Sequence, residues 1–570
     1  MITKFLLSMI ALIFLKYQCN CETPESVSRN FKKAAVCAGV DECAEIGLSI
    51  LKKGGTAVDS AIATMICNGL IHMHIAGYGG GFFMTIYQSD TKKVSFLNAK
   101  EKSPKETSEY SYKQLPLDEK TGLRIAVPGE IAGYAKAHEK FGKIPWSDLF
   151  QPTIDLCKKG FKITKTLHDA LEKSQSDIEN DETLRELFMD KETNSQSLKR
   201  EGDLVKPTAL CETLVTIASK GAGEFYNGTL AKTIVEDLQS QSSIITEDDF
   251  SDYEAEWLEP LSIKLSNDLT LHTSSVPSSG GLLTLIMNIL NEFNFTPNSL
   301  NGTDNTSLTY HKIMESFKWS FPQKYKLGDS KFSKKILDLL VNEFTSKDYA
   351  KSIKKKINEK KTSNKESDYG GKESVEDQGT AQVSVIDSNG NAVSATSSIN
   401  APFGSGIVSK RTGLIFNNAM DGFWTPTVTG PTGGEETQDG NRIDAQKKPL
   451  SSMLPTIITD SNGDVKVVIG GTGGTKIITS VSFVLARYLW MGEDMKTAID
   501  ADRIHYQDII MRVGAEKMDD VVQNLKRKYG HRVVLLKEPH SAICSLSKEN
   551  GVINGVADGR RGGNVAGIDE

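Results

Sequence analysis

The segment DQGTAQVSVIDSNGNAVSATSSIN, residues 377–400, reads as a β-hairpin with chemistry at its open end. Ala381, Val383 and Val385 fall on one face of its first strand, and Gln382 and Ser384 on the other. Asn389-Gly390 is a strong short-range hairpin signal, because the favoured tight turns need positive φ at their centre. A two-residue loop there sets Ser388 opposite Asn391 and puts residue 380 opposite residue 399. Strict alternation then sends Thr380 and Ser398 to different faces, so a bulge or terminal twist is needed to join them. Thr380 follows Gly379 and a highly charged run, 351–377, which reads as a solvated loop. A threonine that becomes the first residue of a new chain carries nucleophile and base together. Its hydroxyl attacks while its α-amine, with a pKa of about 7.7–8.0, takes the proton. Gly379 supplies the backbone freedom that an N-to-O acyl shift needs.

About ninety residues on, VKVVIGGTGGTKIITSVSFVLARYLW (465–490) reads as a strand, a glycine turn and a helix. It is not a phosphate-binding loop, since Lys476 is followed by Ile477 rather than Ser or Thr. It still presents the backbone N–H groups of Gly473 and Gly474 at a helix N-terminus, where negative charge is favoured. Upstream, residues 41–75 read as two helices broken at Gly54-Gly55. Ala44, Leu48 and Leu51 face inward from the first, and Ala61, Met65 and the stretch from Cys67 to Leu70 from the second. Cys43 and Cys67 lie on these consecutive helices, which an antiparallel pair could bring together. His72 and His74 lack a third ligand nearby and read as packing residues.

The chain of 570 residues is long enough for a large single fold or several domains, and its formal net charge of −6 argues against nucleic acid or anionic membrane as main partner. Lys4 precedes the apolar run FLLSMIALIFL (5–15), and Lys16 ends it. That run suits a secretory signal peptide over 1–21 and is short of the about 20 residues that span a bilayer. An uncleaved anchor is the alternative. Sequons at Asn227, Asn294, Asn301 and Asn305, three of them close together, fit an exposed glycosylated loop. Cys19 and Cys21 border the signal; the remaining Cys37, Cys43, Cys67, Cys157, Cys211 and Cys544 suggest one or two disulfides plus buried free thiols. Residues 425–448, polar and rich in Gly, Pro and Thr, read as a surface loop. A secreted glycoprotein is expected.

Ordered along the chain are GGTAVDSAIATMICNGL, GYGGGFF, LNAKEKSP, AVPGEIAGY, VPSSGG, GTAQVSVID, SATSSINAPFGS, GLIFNNAMDGF, KKPLSSMLPTI, GGTGGTKI and ADGRRGGNVAGI. Through these the sequence resembles the γ-glutamyltransferases (glutathione hydrolases) of the N-terminal nucleophile hydrolase superfamily, over nearly everything after the signal. The resemblance implies an α/β fold, a four-layer αββα sandwich. It implies a precursor cut between Gly379 and Thr380 into a large subunit, 22–379, and a small catalytic subunit, 380–570, paired as a heterodimer. Thr380 would open the γ-glutamyl amide of glutathione and pass the acyl group to water, an amino acid or a dipeptide. Ser398 would steady the nucleophile, and Gly473 and Gly474 would form the oxyanion hole. Lys100, Asn400, Asp421, Ser451 and Ser452 would hold the glutamyl group, and Cys43 would pair with Cys67. No cofactor and no metal is implied.

Four positions depart from the family pattern. Lys100 replaces the arginine that clamps the α-carboxylate, keeping the charge and losing the bidentate fork. Ser398 replaces a threonine. Ala419 and Gly422 replace the glutamate and aspartate that accept hydrogen bonds from the donor's α-ammonium. Losing two charge-assisted partners at about 1.5–3 kcal/mol each lowers γ-glutamyl affinity by roughly two to four orders of magnitude. Two further readings follow: an acylase for donors without an α-amine, such as glutaryl amides, and a non-catalytic secreted binding protein.

Overall fold

The computed structural model describes residues 25–112, 120–190, 197–370, 379–424, 439–507, 510–513, 518–536 and 541–570. The proposed signal segment, the last residues of the charged run and most of the 425–448 loop lie outside them. Two seven-stranded sheets form the centre. One runs Val27–Phe31, Val552–Ala557, Ala542–Glu549, Val465–Thr472, Thr456–Thr459, Thr270–Thr273 and Leu261–Lys264. The other runs Asn564–Ile568, Ala34–Ala38, Ala381–Ile386, Ala392–Ser398, Gly81–Gln88, Lys93–Ala99 and Glu256–Leu258. Every neighbouring pair in both is antiparallel. Each sheet therefore combines strands from before and after residue 380.

The alternation read in the hairpin decides which layer each residue faces. Val383, Val385, Val393 and Ala395 pack outward into a core shared with the helices Asp41–Lys52 and Ala57–Ile71. Gln382, Ser384, Ser394 and Thr396 turn inward between the sheets, where the two serines carry hydrogen bonds across the gap and Thr396 bonds Gln382 within the hairpin. Ser384 Oγ donates to Cys544 O and Ser394 Oγ to Ile469 O, each at 2.9 Å. Thr396 Oγ1 donates to Gln382 Oε1 at 2.6 Å. The sheet that holds Val465–Thr472 buries its outer face under Gly280–Asn291, Gly302–Ser320 and Lys476–Trp490. Helix, sheet, sheet, helix is the resulting order.

The hairpin register differs by one from the sequence reading. Ala381 pairs with Ser397 and Ile386 with Ala392, so the loop is Ser388–Asn389–Gly390, with Gly390 at φ +81°. Asp387 is the cause. Its Oδ1 accepts from Asn389 N at 2.9 Å and Asn391 N at 3.0 Å, which shapes a three-residue turn. Its Oδ2 accepts from Ala57 N at 3.0 Å, pinning the turn to the start of the second helix. One step further along, this register sets Thr380 opposite Ser398, and no bulge is needed.

Two other expectations are corrected. All six cysteines among the described residues are bonded, as Cys37–Cys544, Cys43–Cys67 and Cys157–Cys211, so none of these six is a free thiol. The described part of the charged run is anchored rather than a plain loop, although most of its residues stay at the surface: Lys347–Lys356 is a helix with Ala350 and Ile353 buried. Beyond it, Thr362 and Tyr369 are buried against Glu315, with Tyr369 OH donating to its carboxylate at 3.0 Å. Isolated apolar residues among many lysines suffice to fix a short helix, which composition alone conceals. The four sequon asparagines are exposed, but Asn305 lies inside the helix Gly302–Ser320 and Asn301 caps it, so only Asn294 sits in a connecting stretch.

Candidate active site

Thr380 lies at the mouth of its strand, 4% exposed, with Oγ1 accepting from Gly473 N at 3.0 Å. Gly473 and Gly474 stand at φ +106° and +62°, a left-handed pair that turns the Val465–Thr472 strand into the helix beginning at Lys476. From across the hairpin, Ser398 Oγ donates to Gly379 O at 2.5 Å and accepts from Asn400 N at 2.8 Å. Gly379 holds φ +97°, which disfavours any side chain there. One hydroxyl thus grips the carbonyl before Thr380 while a backbone N–H grips the threonine oxygen.

From Ser398 the site extends through side-chain amides. Asn400 Nδ2 donates to Asn418 O and Oδ1, both at 3.2 Å. Asn418 Nδ2 donates to Asp421 Oδ2 at 2.8 Å, and Arg124 Nη1 meets the other oxygen at 2.5 Å. Asp421 is therefore engaged by Arg124, a partner the sequence did not announce. Ala419 is fully buried in an apolar group with Tyr112, Ala126, Met420, Phe423 and Ile443. A Cβ at Gly422 would meet Pro449 Cβ at 3.2 Å, which places the segment before Ser451 against this turn. Asn441 fastens the two together, donating to Gly422 O at 2.7 Å and accepting from Leu450 N at 2.9 Å.

Lys100 ends the Lys93–Ala99 strand, beside the Gly81 that pairs with Ser398. Its Nζ lies 2.7 Å from Glu101 Oε2, with both side chains buried. Beneath the return strand Glu130 is fully buried and accepts from Ser397 Oγ at 2.9 Å and Tyr134 OH at 2.5 Å. Burial raises its pKa to about 8 against the hydrogen bonds that favour the carboxylate. On the other side of Thr380 opens a small cleft of about 30 Å³, lined by His72, Thr472, Asp558 and Arg561 among others. Burial and Arg561 hold His72 neutral, with a pKa lowered to about 4. His74 is buried too, packing on Phe403.

The geometry therefore brings Thr380, Gly379, Ser398, Asn400 and Gly473 together. Ser451 and Ser452 follow on the segment docked at Gly422; Lys100 and Asp421 are occupied by Glu101 and Arg124. Glu130, Arg124 and Asn418 escaped the sequence reading, although AVPGEIAGY and the doubled Asn417-Asn418 were visible signals.

The gamma-glutamyltranspeptidase family model matches residues 43–568. The chain belongs to the gamma-glutamyltranspeptidase family. It is 37% identical over 541 residues to Scoloptoxin SSD14 of Scolopendra dehaani, covering 94% of this chain and 92% of that one. It is 35% identical over 493 residues to the Glutathione hydrolase 5 proenzyme of Mus musculus, covering 83% and 82%. Among solved structures, cephalosporin acylase from Bacillus halodurans superposes with a TM-score of 0.82 at 22% identity, covering 96% of this chain and 98% of that one. The shared architecture is the N-terminal nucleophile hydrolase fold, and this member is of the gamma-glutamyltransferase and glutathione hydrolase kind. Among the described residues no helix is long and apolar enough to cross a membrane.

Proposed function

We propose that this family member is secreted, cuts itself between Gly379 and Thr380, and uses the new N-terminus to transfer acyl groups from γ-glutamyl amides such as glutathione to water, amino acids or peptides. The carrying observation is the pair of grips on the reacting atoms: Gly473 N–H on Thr380 Oγ1 and Ser398 Oγ–H on Gly379 O. In the uncut chain, Ser398 polarises the Gly379 carbonyl and Thr380 Oγ attacks its carbon. The peptide C–N bond breaks, the Thr380 nitrogen takes the proton, and water hydrolyses the ester that results. The products are a large subunit ending at Gly379 and a small one, 380–570, opening with a hydroxyl and a free α-amine.

In turnover, Thr380 Oγ attacks the donor's γ-carbonyl, and its own amine carries the hydroxyl proton to the leaving nitrogen. The oxyanion is met by Gly473 and Gly474, each such donor contributing roughly 3–4 kcal/mol in the transition state. Asn400, Ser451 and Ser452 orient the glutamyl head. The apolar apolar-lined burial of Ala419 favours a second reading of the donor: one without an α-amine, such as a glutaryl amide, leaves no ammonium unpaired there.

A reducing denaturing gel of the secreted protein should show two chains, the smaller starting at Thr380. A single intact chain would sink the self-cleavage reading. γ-Glutamyl and glutaryl anilides compared side by side then separate the donors: preference for the second overturns γ-glutamyl transfer, and silence on both leaves a binding protein.

A further inference from the structure

A donor with a distal carboxylate needs a cation near Ser451 and Ser452, and Lys100 is already neutralised by Glu101. Another ammonium touches one of these serines. Lys324 sits in the short turn Phe321–Lys326 that follows the helix Gly302–Ser320. It is 5% exposed, and its Nζ donates to Ser452 Oγ at 3.0 Å. Among the described residues it has no carboxylate within ion-pair distance. An ammonium kept from water without an anion is costly, and two of its three N–H donors remain for a ligand.

We propose that Lys324, acting beside Ser452, is the residue that recognises the distal carboxylate of the acyl donor. This rests on the donor reading above. It fits γ-glutamyl and glutaryl donors equally, since both carry that carboxylate, and it assigns Lys100 to holding Glu101 rather than the ligand. The probe is glutarate, with butyramide as the control lacking a carboxylate, titrated calorimetrically into the processed protein. Lys324→Met should weaken glutarate binding by about tenfold to a hundredfold and leave butyramide unaffected, with Lys324→Arg staying within about threefold of the parent. On an anilide donor the same loss should appear in KM, with kcat changed by less than about threefold. Equal glutarate binding by parent and Lys324→Met, or none by the parent, overturns the assignment. Should Lys324→Met fail to fold, reductive methylation of the parent decides: glutarate should protect Lys324, and unprotected labelling overturns it. Absence of anilide turnover speaks against the donor chemistry, while glutarate binding still reports on Lys324.

A separate observation concerns the cysteines. Cys43–Cys67 and Cys157–Cys211 both lie before residue 380, whereas Cys37–Cys544 joins a residue before the cut to one after it. Cys37 pairs in register with Ser384 on the nucleophile's strand, and Cys544 with Gly470 on the strand that leads to Gly473. We infer that the processed protein is a covalent heterodimer, with this bond tying the strand beside that of Thr380 to the strand beside that of the oxyanion donors. It rests on self-cleavage at Gly379. Without reductant, a denaturing gel should show one species of the full mass; with reductant, two. Cys37→Ser with Cys544→Ser should give two species either way. Separation of the parent without reductant overturns the inference. An unreduced digest, searched for the Cys37–Cys544 peptide pair, tests the bond even if the chain proves uncut; its absence there overturns the inference too.

Discussion

Thr380 Oγ1 accepts a backbone hydrogen bond before any substrate arrives, so its position owes little to ligand binding. Thr380→Ala should therefore fold normally and run as one chain on a reducing gel, while Thr380→Ser should still be cut. Ala419 and Gly422 differ in how readily they take back an acid. At Gly422 a Cβ needs a few tenths of an ångström from Pro449, so Gly422→Asp should lower KM for γ-glutamyl anilide by about tenfold. Ala419→Glu drives a carboxylate into an apolar group and should cost about 1–3 kcal/mol in chemical denaturation whatever it adds to binding. Glu130 makes stability depend on pH. Its carboxyl is protonated in the fold up to about 8, whereas an unfolded chain ionises it near 4.5. Its contribution is complete below pH 4.5 and lost as pH rises to about 8. Glu130→Gln should flatten that fall by a few kcal/mol, measured as denaturation midpoints across the interval. His72 slopes the other way, since a ring neutral down to about 4 adds stability as pH rises toward 6.5.

Where the two sheets meet, a glycine is required for a plain steric reason. A Cβ on Gly470 would lie 2.2 Å from Gln382 Oε1, the side chain bonded to Thr396 and Ser394. Gly470→Ala should wedge the sheets apart and lower stability by about 1–3 kcal/mol, read as a drop in melting temperature. The elements themselves were legible. The helix pair up to Ile71, the strand Val465–Thr472 with its glycine turn, and the period-two hairpin all follow from local pattern. What escaped depends on contacts distant in sequence. The hairpin register is set locally by Asp387, but what pins that turn in place is Ala57, 330 residues away. Arg124 reaches Asp421 across 297 residues, and Lys324 reaches Ser452 across 128. No window of sequence carries such information.

Across the whole molecule, each sheet interlaces strands from both sides of residue 380. The Val27–Phe31 strand lies against Val552–Ala557, and Ala34–Ala38 fits between Ala381–Ile386 and Asn564–Ile568. Pairing of this reach forms readily only while the chain is continuous, because loop closure is then intramolecular. Once Gly379 and Thr380 part, and with the Cys37–Cys544 bond reduced, reassembly becomes a bimolecular reaction. Recovery of native secondary structure after denaturation, followed by far-ultraviolet circular dichroism, should then rise with protein concentration for the cut, reduced protein and be independent of it for Thr380→Ala. The interlaced sheets thus act as a scar of synthesis: the mature pieces hold a shape that the severed chains can no longer easily write for themselves.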